Sequence, residues 1–137
     1  MTKIVYNACY GGFSLSHEAI MRYAEIKGIT LYGQDGQDRG RGYSYTTVPL
    51  EEWERIYEEC HKERDYRRSD ELTFSDRSIS RTDPALVQVV EELGDAANAP
   101  HAKLLIEELP AGTLYRIDEY DGNETVMTQD DYDWSVA

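Results

Sequence analysis

The sequence predicts an α+β fold with about three helices packed on a mainly antiparallel sheet and a β-meander at the C-terminus. Apolar residues recur at helical spacing in three separate segments. Short β-branched and aromatic runs at both ends of the chain are typical of strands. The chain has 137 residues and is 40% hydrophobic, which fits a single domain over residues 1–137. Such a domain buries its helix stripes against one face of a sheet.

The N-terminal part is predicted to run strand, turn, helix and strand. Residues 3–9 are rich in strand-forming side chains, and Gly11-Gly12 ends the run. Residues 16–27 carry an apolar stripe at helical spacing. A short strand is expected at 29–32.

The middle of the chain is predicted to hold one long loop and two helices. Residues 33–48 form a glycine-rich loop without a periodic apolar face. Residues 49–64 and 83–97 are predicted helices, and in the second of them Asp83 is the expected N-cap. The polar stretch 65–81 is interpreted as a loop with at most one short strand.

The C-terminal part is predicted to be the meander. Its strands are expected at 103–109, 114–120 and 123–128. Asp121-Gly122 is a strong signal for a two-residue type I′ turn. That turn places Glu119 directly opposite Glu124, and an acidic tail follows at 129–137.

The charge of the chain restricts its partners. There are 27 acidic and 14 basic side chains, a net charge of −13. From Asp83 to the end there are 13 acids and two bases. This balance argues against direct binding to nucleic acid or to an anionic membrane, since both require cationic side chains. It favours a host protein with a basic surface, while simple solubility is the alternative.

Localisation, cofactors and metals are predicted from what the chain lacks. No apolar run is long enough to span a bilayer, and the N-terminus has no signal-peptide core, so a cytoplasmic protein of the host cell is expected. Cys9 and Cys60 are expected to be small buried side chains rather than a disulfide. The three histidines lack metal-ligand spacing, so neither a metal nor a cofactor is expected.

A possible ligand loop follows the first predicted strand. Two glycines before a capped helix give the general geometry of an anion site, although the pattern matches neither known phosphate-binding fingerprint. The residues of this possible loop are Asn7, Cys9, Tyr10, Gly11, Gly12 and Ser14. The alternative is a tight strand-to-helix turn with a buried cysteine.

The C-terminal hairpin and tail are a candidate partner-binding surface. Acidic side chains there stand beside aromatic residues of the kinds enriched at interfaces. The candidate residues are Asp118, Glu119, Tyr120, Asp121, Glu124, Asp130, Asp131, Tyr132, Asp133 and Trp134. The alternative is a solvated edge whose charges discourage aggregation between sheets.

An arginine-rich middle is the third candidate site. Arginines with interleaved tyrosines suit a phosphate or nucleotide. They are Arg39, Arg41, Arg55, Arg64, Arg67, Arg68, Arg77 and Arg81, with Tyr43, Tyr45 and Tyr66. The alternative is internal ion pairing, for example between Glu51 and Arg55.

Three segments, taken from both ends of the chain, resemble the sequences of a known group of proteins. They read YNACYGGFSLS at 6–16, RTDPALVQVVEELG at 81–94 and YRIDEYDG at 115–122. Together they resemble an uncharacterised family of small proteins encoded by bacteriophages and prophages. The resemblance implies a phage setting and carries over no catalytic residue.

Two functions follow as hypotheses. The first is a non-enzymatic phage accessory protein that binds and inhibits a host defence or nucleic-acid-handling protein. It would be of the anti-CRISPR or anti-restriction type, with an acidic surface that mimics nucleic acid. The alternative is a small-molecule or nucleotide-binding protein that uses the Gly11-Gly12 turn and the arginine-rich middle. The sequence leaves the oligomeric state open.

Overall fold

The fold is known from a computed structural model, which describes residues 1–34, 44–131 and 136–137. Helices and antiparallel strands confirm the α+β class. The helices are α1 (His17–Lys27), α2 (Leu50–Glu63), α3 (Arg67–Glu71) and α4 (Pro84–Leu93). The strands are β1 (Thr2–Asn7), β2 (Tyr32–Gln34), β3 (Ser44–Thr46), β4 (Thr73–Phe74), β5 (Leu104–Leu109), β6 (Tyr115–Tyr120) and β7 (Asn123–Thr128). None of the helices in these ranges is long and apolar enough to cross a membrane.

The chain forms two compact units, and the boundary between them falls within α1. Unit 1 comprises Met1–Ile20 and Ile79–Ala137, and unit 2 comprises Met21–Ser78. The expectation of one domain over residues 1–137 stays a prediction.

Unit 1 is built on β1, which is buried on both faces. Ile4 and Val5 point to opposite sides of the strand, and neither is exposed. β1 pairs antiparallel with β5 from Thr2 opposite Leu109 to Asn7 opposite Leu104. Helix α4 lies against both strands. The two ends of the sequence therefore meet in the core of this unit.

The last three strands do not form the predicted meander. All three are present, but β5 pairs with β1, and β6 pairs with β7 in a separate hairpin. The residue pattern of each strand predicted that the strand exists. It did not specify the partner of the strand. β5 pairs with β1, which is apolar on both faces and lies about 100 residues earlier in the chain.

The β6–β7 hairpin has the predicted turn and register. Asp121 and Gly122 have φ values of +49° and +84°, as a type I′ turn requires at both central positions. Glu119 lies opposite Glu124, which confirms the predicted pairing.

Unit 2 contains a small three-stranded sheet and a helix pair. The strand order is β2-β3-β4, and both pairings are antiparallel. Tyr45 on β3 and Cys60 on α2 are buried, and the rings of Tyr23 and Phe74 lie 6.1 Å apart. The Trp53 indole N–H donates to the Ser69 carbonyl at 3.2 Å, which ties α2 to α3.

The three predicted helices are present as α1, α2 and α4, and the segment from 65 to 81 contains more structure than predicted. It contains α3, β4 and a 3₁₀ turn at Asp76–Ser78. Helix α3 has only five residues and no apolar stripe, and Asp65, one residue before its N-cap Tyr66, accepts from the Arg67 backbone N–H at 3.2 Å. Residues 35–43, most of the predicted glycine-rich loop at 33–48, lie outside the described part of the chain, and its end contains β3.

Candidate functional site

The site begins at Asn7, where the end of β1 meets β5 and the β6–β7 turn. The Asn7 side chain is fully buried. Its amide nitrogen donates to the carbonyls of Cys9 at 2.7 Å and Gly122 at 2.8 Å. Its amide oxygen accepts from the Lys103 backbone N–H at 2.8 Å. Both N–H groups of this amide are therefore used inside unit 1, and neither is left for a ligand.

Close backbone packing holds the glycine loop against the hairpin turn. A Cβ on Gly122 would lie 2.5 Å from the Gly12 nitrogen and 3.0 Å from the Tyr10 carbonyl. A Cβ on Gly11 would overlap the carbonyl and Cβ of His101. These glycines are needed for close approach of the chain to itself, as in a tight strand-to-helix turn.

The positive end of α1 is also occupied from within. Ser16 is the N-cap, since its Oγ accepts from the Ala19 N–H at 3.1 Å. The Ser16 hydroxyl donates to the Ala96 carbonyl at 2.6 Å. The Ser14 backbone carbonyl accepts from the Ala99 N–H at 3.3 Å. The predicted ligand loop therefore bonds mainly to the segment before β5.

A largely buried ion pair joins Arg81 to the β6–β7 hairpin. Arg81 donates to both carboxylate oxygens of Glu124, Nη1 to Oε1 at 2.6 Å and Nη2 to Oε2 at 2.8 Å. The same Oε1 accepts the Asn7 backbone N–H at 2.8 Å. The Arg81 guanidinium also lies 3.6 Å from the centre of the Phe13 ring.

This ion pair changes two predictions. Glu124 was expected on the partner-binding surface, but its side chain is only 8% exposed and faces Arg81. Arg81 was counted in the arginine-rich middle, yet it is an internal partner in unit 1. The opposed Glu119 and Glu124 are tolerated because one carboxylate is neutralised by Arg81 and the other is exposed.

The pair also covers the free edge of β1. Val5 and Asn7 have their backbone N–H groups on the side away from β5. The Val5 N–H donates to the Arg81 carbonyl at 2.9 Å, and the Asn7 N–H donates to Glu124. One backbone carbonyl and one carboxylate thus replace a neighbouring strand.

Four residues around the turn expose their side chains, and we call them the turn surface: Tyr10, Glu119, Tyr120 and Asp121. Tyr10 is 63% exposed and Tyr120 79% exposed. Tyr10 comes from the predicted ligand loop and the other three from the predicted acidic surface. The packing of Gly122 on Gly12 brings the two predicted sites together at one end of the hairpin.

Other predicted members of the acidic surface lie elsewhere. Asp118 is bound by Arg116, with Nε 2.8 Å from Oδ1. Asp130 and Asp131 follow β7 at the opposite end of the hairpin. Asp131 accepts the Thr128 backbone N–H at 2.7 Å. The remaining predicted members, Tyr132, Asp133 and Trp134, lie outside the described residues.

Cys9 and Cys60 are free thiols, as predicted, but they differ in burial. Cys60 is fully buried, whereas Cys9 is only half-buried. Within the described ranges no group of three or more histidine, cysteine, aspartate or glutamate side chains is arranged to hold a metal ion.

In unit 2 several arginines form ion pairs with neighbouring acids. Arg67 binds Asp65 through Nη2 at 2.7 Å and through Nε. These bonds lower the pKa of Asp65 to about 2 and raise that of Arg67. Arg68 binds Glu59 at 3.0 Å, which raises the pKa of Arg68. Arg39, Arg41 and Tyr43 lie outside the described residues.

Comparison with known proteins identifies no family for this chain. No protein-family model, no curated protein and no solved structure matches the chain.

The sequence did not reveal the meeting of the two motifs or the burial of Glu124. Both depend on contacts more than 100 residues apart along the chain, from Asn7 to Gly122 and Glu124. A usable signal was present in the positions of Arg81 and Glu124. A lone arginine precedes an otherwise acidic region, and the hairpin register forces one glutamate opposite another.

Proposed function

We propose that this chain is a non-enzymatic bacteriophage accessory protein that binds and inhibits a host defence or nucleic-acid-handling protein. The turn surface is the proposed contact, and a basic surface of the host protein is the proposed partner. The supporting observation is the joining of two exposed tyrosines and two exposed acids on a backbone fixed by Asn7 and Gly122. Tyrosine is one of the side chains enriched at the energetic hot spots of protein interfaces.

The charge of unit 1 supports a basic partner. Unit 1 contains 14 acidic and 4 basic side chains, a net charge of −10, against −3 for unit 2. Three of those four cations, Lys3, Arg81 and Arg116, already bind carboxylates of the same unit. The remaining acids give a negative field that steers a basic surface toward the protein.

The small-molecule alternative is weaker on the same contacts. Its loop donor Asn7 bonds to three backbone groups of unit 1, and Gly11 and Gly12 pack against backbone. In its arginine-rich middle, Arg67 and Arg68 are paired with acids. These groups would have to leave internal partners before they could hold a phosphate.

The experiment uses immobilised protein and bacterial lysate, followed by binding measurements with the purified partner. The test variant carries Tyr10→Ala, Tyr120→Ala and Asp121→Asn. A control variant, Asp95→Asn, has the same charge change at an exposed site of unit 1 away from the turn. We expect the wild type and the control to retain a nucleic-acid-binding protein that the test variant loses.

Binding of that partner should also weaken steeply as salt is raised, and added nucleic acid should compete with it. Equal retention by the test variant would place the contact elsewhere. Affinity that is insensitive to salt, or binding without any loss of the partner's activity, would refute the proposed inhibition by an acidic surface.

A further inference from the structure

The outer edge of β6 carries backbone groups without a partner in the described part of the chain. Tyr120 and Asn123 close the two-residue turn, so they form a hydrogen-bonded pair. Alternation along the strand then turns the N–H and C=O groups of Tyr115, Ile117 and Glu119 away from β7. No hydrogen bond between described residues reaches these six groups. An unpaired edge of this length is a template for another strand.

We propose that the β6 edges of two copies pair antiparallel, with Ile117 opposite Ile117 of the second copy. In this register Tyr115 lies opposite Glu119 of the second copy. The three outward-facing residues of each strand then face one another and form six hydrogen bonds. The result is a four-stranded sheet across a two-fold axis, which is the commonest symmetry of protein dimers.

Charge complementarity selects this occupant and this register. About Ile117, Arg116 lies opposite Asp118 of the second copy, and Asp118 lies opposite its Arg116, so the Arg116–Asp118 ion pair within each copy becomes part of a group of four alternating charges. Opposite charges at directly facing positions stabilise a sheet. A shift that centres the pairing on residue 116 would oppose two arginines, and one centred on residue 118 would oppose two aspartates. Centring on residue 119 would oppose two glutamates.

The register also places two exposed apolar side chains together. Leu114, one residue before β6, is 67% exposed, and Tyr120 at its other end is 79% exposed. About Ile117, each Leu114 lies opposite the Tyr120 of the second copy. The pairing forms this Leu114–Tyr120 contact twice, once at each end of the shared part of the sheet, and so covers exposed apolar side chains of both copies.

The outer edge of β5 does not have this self-complementarity. Its first N–H, that of Leu104, donates to the Asn98 side chain at 2.9 Å. Antiparallel pairing about Ile106 would bring no opposite charges together, and pairing about Leu105, which would oppose Lys103 to Glu107 of the second copy, would need the Leu104 N–H that Asn98 already accepts. The inference therefore concerns β6 and not every open strand edge.

The proposed dimer does not depend on the proposed function. Antiparallel pairing places the two β6–β7 turns at opposite ends of the shared sheet, roughly 25 Å apart at about 3.3 Å per residue. Each copy carries a net charge of −13, so long-range repulsion opposes association. The measurement is made near 0.15 M salt, where the Debye length is about 8 Å.

The test is sedimentation equilibrium of the full chain up to about 0.5 mM, with two charge-reversal variants. The wild type is expected to approach twice its mass of 15.7 kDa. Arg116→Asp and Asp118→Arg each oppose like charges twice in a symmetric dimer. Each should weaken self-association at least about tenfold. Within its own hairpin Arg116 faces Met127 and Asp118 faces Thr125, so neither change creates a like-charge pair between β6 and β7. Each change does replace the Arg116–Asp118 ion pair of β6 by two like charges, which the double variant restores to opposite charges.

Mixing the two variants supplies the decisive arm. An Arg116→Asp chain and an Asp118→Arg chain oppose only unlike charges, so the mixture should dimerise although neither variant does so alone. The double variant R116D/D118R should dimerise like the wild type. Circular dichroism of each variant checks the fold.

A wild type that stays monomeric at the highest concentration overturns the inference. So does a dimer that the single variants leave intact, or a mixture that stays monomeric. Binding of an extended basic peptide to β6 by a monomeric wild type would assign the edge to another occupant. Because the dimer covers Tyr120 of the turn surface, retention of a partner is measured separately, at concentrations where the chain is monomeric.

Discussion

Unit 1 and unit 2 differ in how they are held together. Among the described residues, unit 1 buries thirteen hydrophobic side chains and unit 2 buries five. Unit 1 also buries a polar network, in which Asn7 is fully buried and the Glu124 side chain is 8% exposed. The ion pairs of unit 2 lie at the surface, where the Arg67 side chain is 86% exposed. The unit with the larger charge imbalance therefore buries more apolar side chains.

The difference indicates that the strongly negative charge and the buried polar contacts belong to the same unit, unit 1. Exposed pairs such as Asp65–Arg67 contribute little to stability, because water and salt screen them. Breaking a buried pair such as Arg81–Glu124 leaves an uncompensated charge inside the protein. The turn surface stands on the second kind of contact. The acidic side chains of the turn surface therefore lie on a backbone that buried contacts hold in position.

The largest expected effect comes from Glu124→Ala. Loss of the carboxylate strands the Arg81 guanidinium and the Asn7 backbone N–H in the interior, which should lower the free energy of unfolding by about 3–5 kcal/mol. Glu119→Ala is the matched control, since this glutamate lies directly opposite Glu124 and is exposed. It should change stability by less than about 0.5 kcal/mol. Urea unfolding measures both.

Similar losses in the two variants would contradict the division between a buried and an exposed glutamate. A loss at Glu124 that disappears when Arg81 is also replaced by Met would confirm that the cost is an unpaired charge rather than a cavity.

A smaller effect is expected from Gly122→Ala. Gly112→Ala is its control, because the two turn glycines have nearly equal φ values of +84° and +86°. Only Gly122 has backbone within 3.0 Å of the added Cβ, from Gly12 and Tyr10, whereas Gly112 faces open space. The strain of the positive φ is common to both. Gly122→Ala should therefore cost about 1–3 kcal/mol more, the range for overpacking, in the same urea experiment.

Equal costs for the two glycine variants would show that the backbone of Tyr10 and Gly12 shifts to accommodate the added Cβ without a loss of stability. In that case the turn surface would lack the rigid support on which the proposed function rests.

The sequence predicted elements better than partners. The helices at 16–27, 49–64 and 83–97 and the opposition of Glu119 and Glu124 follow from local rules: apolar spacing, a capping aspartate and a two-residue turn. The pairing of β5 with β1 and the contact of Gly12 with Gly122 join distant segments, and no local pattern encodes such pairings. α3 has no such pattern, because its five residues include no apolar side chain and its N-cap Tyr66 makes no side-chain capping bond.

For the site, residue type predicted exposure at three positions and failed at a fourth. Glu119, Tyr120 and Asp121 are exposed as the acidic hairpin suggested. Glu124 has the same chemistry and the opposite environment, because Arg81 lies within hydrogen-bonding distance of it. Alternation along the strand placed Glu124 opposite Glu119, but it could not show that a distant arginine would neutralise one of them.

Hydrogen exchange tests the comparison between the units directly. With fewer buried apolar side chains, unit 2 should open more readily than unit 1. Amides of α2 are expected to exchange at least about tenfold faster, relative to their intrinsic rates, than those of β1 and α4. NMR-detected exchange resolves the three elements in one sample. Equal protection in all of them would mean that the two units open together despite their different interiors.

The smallest effect concerns the charge of Asp65. Hydrogen bonds from the Arg67 side chain and backbone hold its pKa at about 2. The carboxylate is stabilised in the folded state, so its contribution is complete above the ordinary pKa of 3.8 and is lost as pH falls through about 2. Arg67→Ala should return the pKa of Asp65 toward its ordinary value in a carboxyl NMR titration. Arg68→Ala, the control, should move it far less, because Arg68 acts on Asp65 only through its charge. Neither variant should change the urea midpoint appreciably, since the pair is exposed to solvent. A large loss of stability on replacing Arg67 would mean that unit 2 depends on surface pairs as unit 1 depends on its buried one.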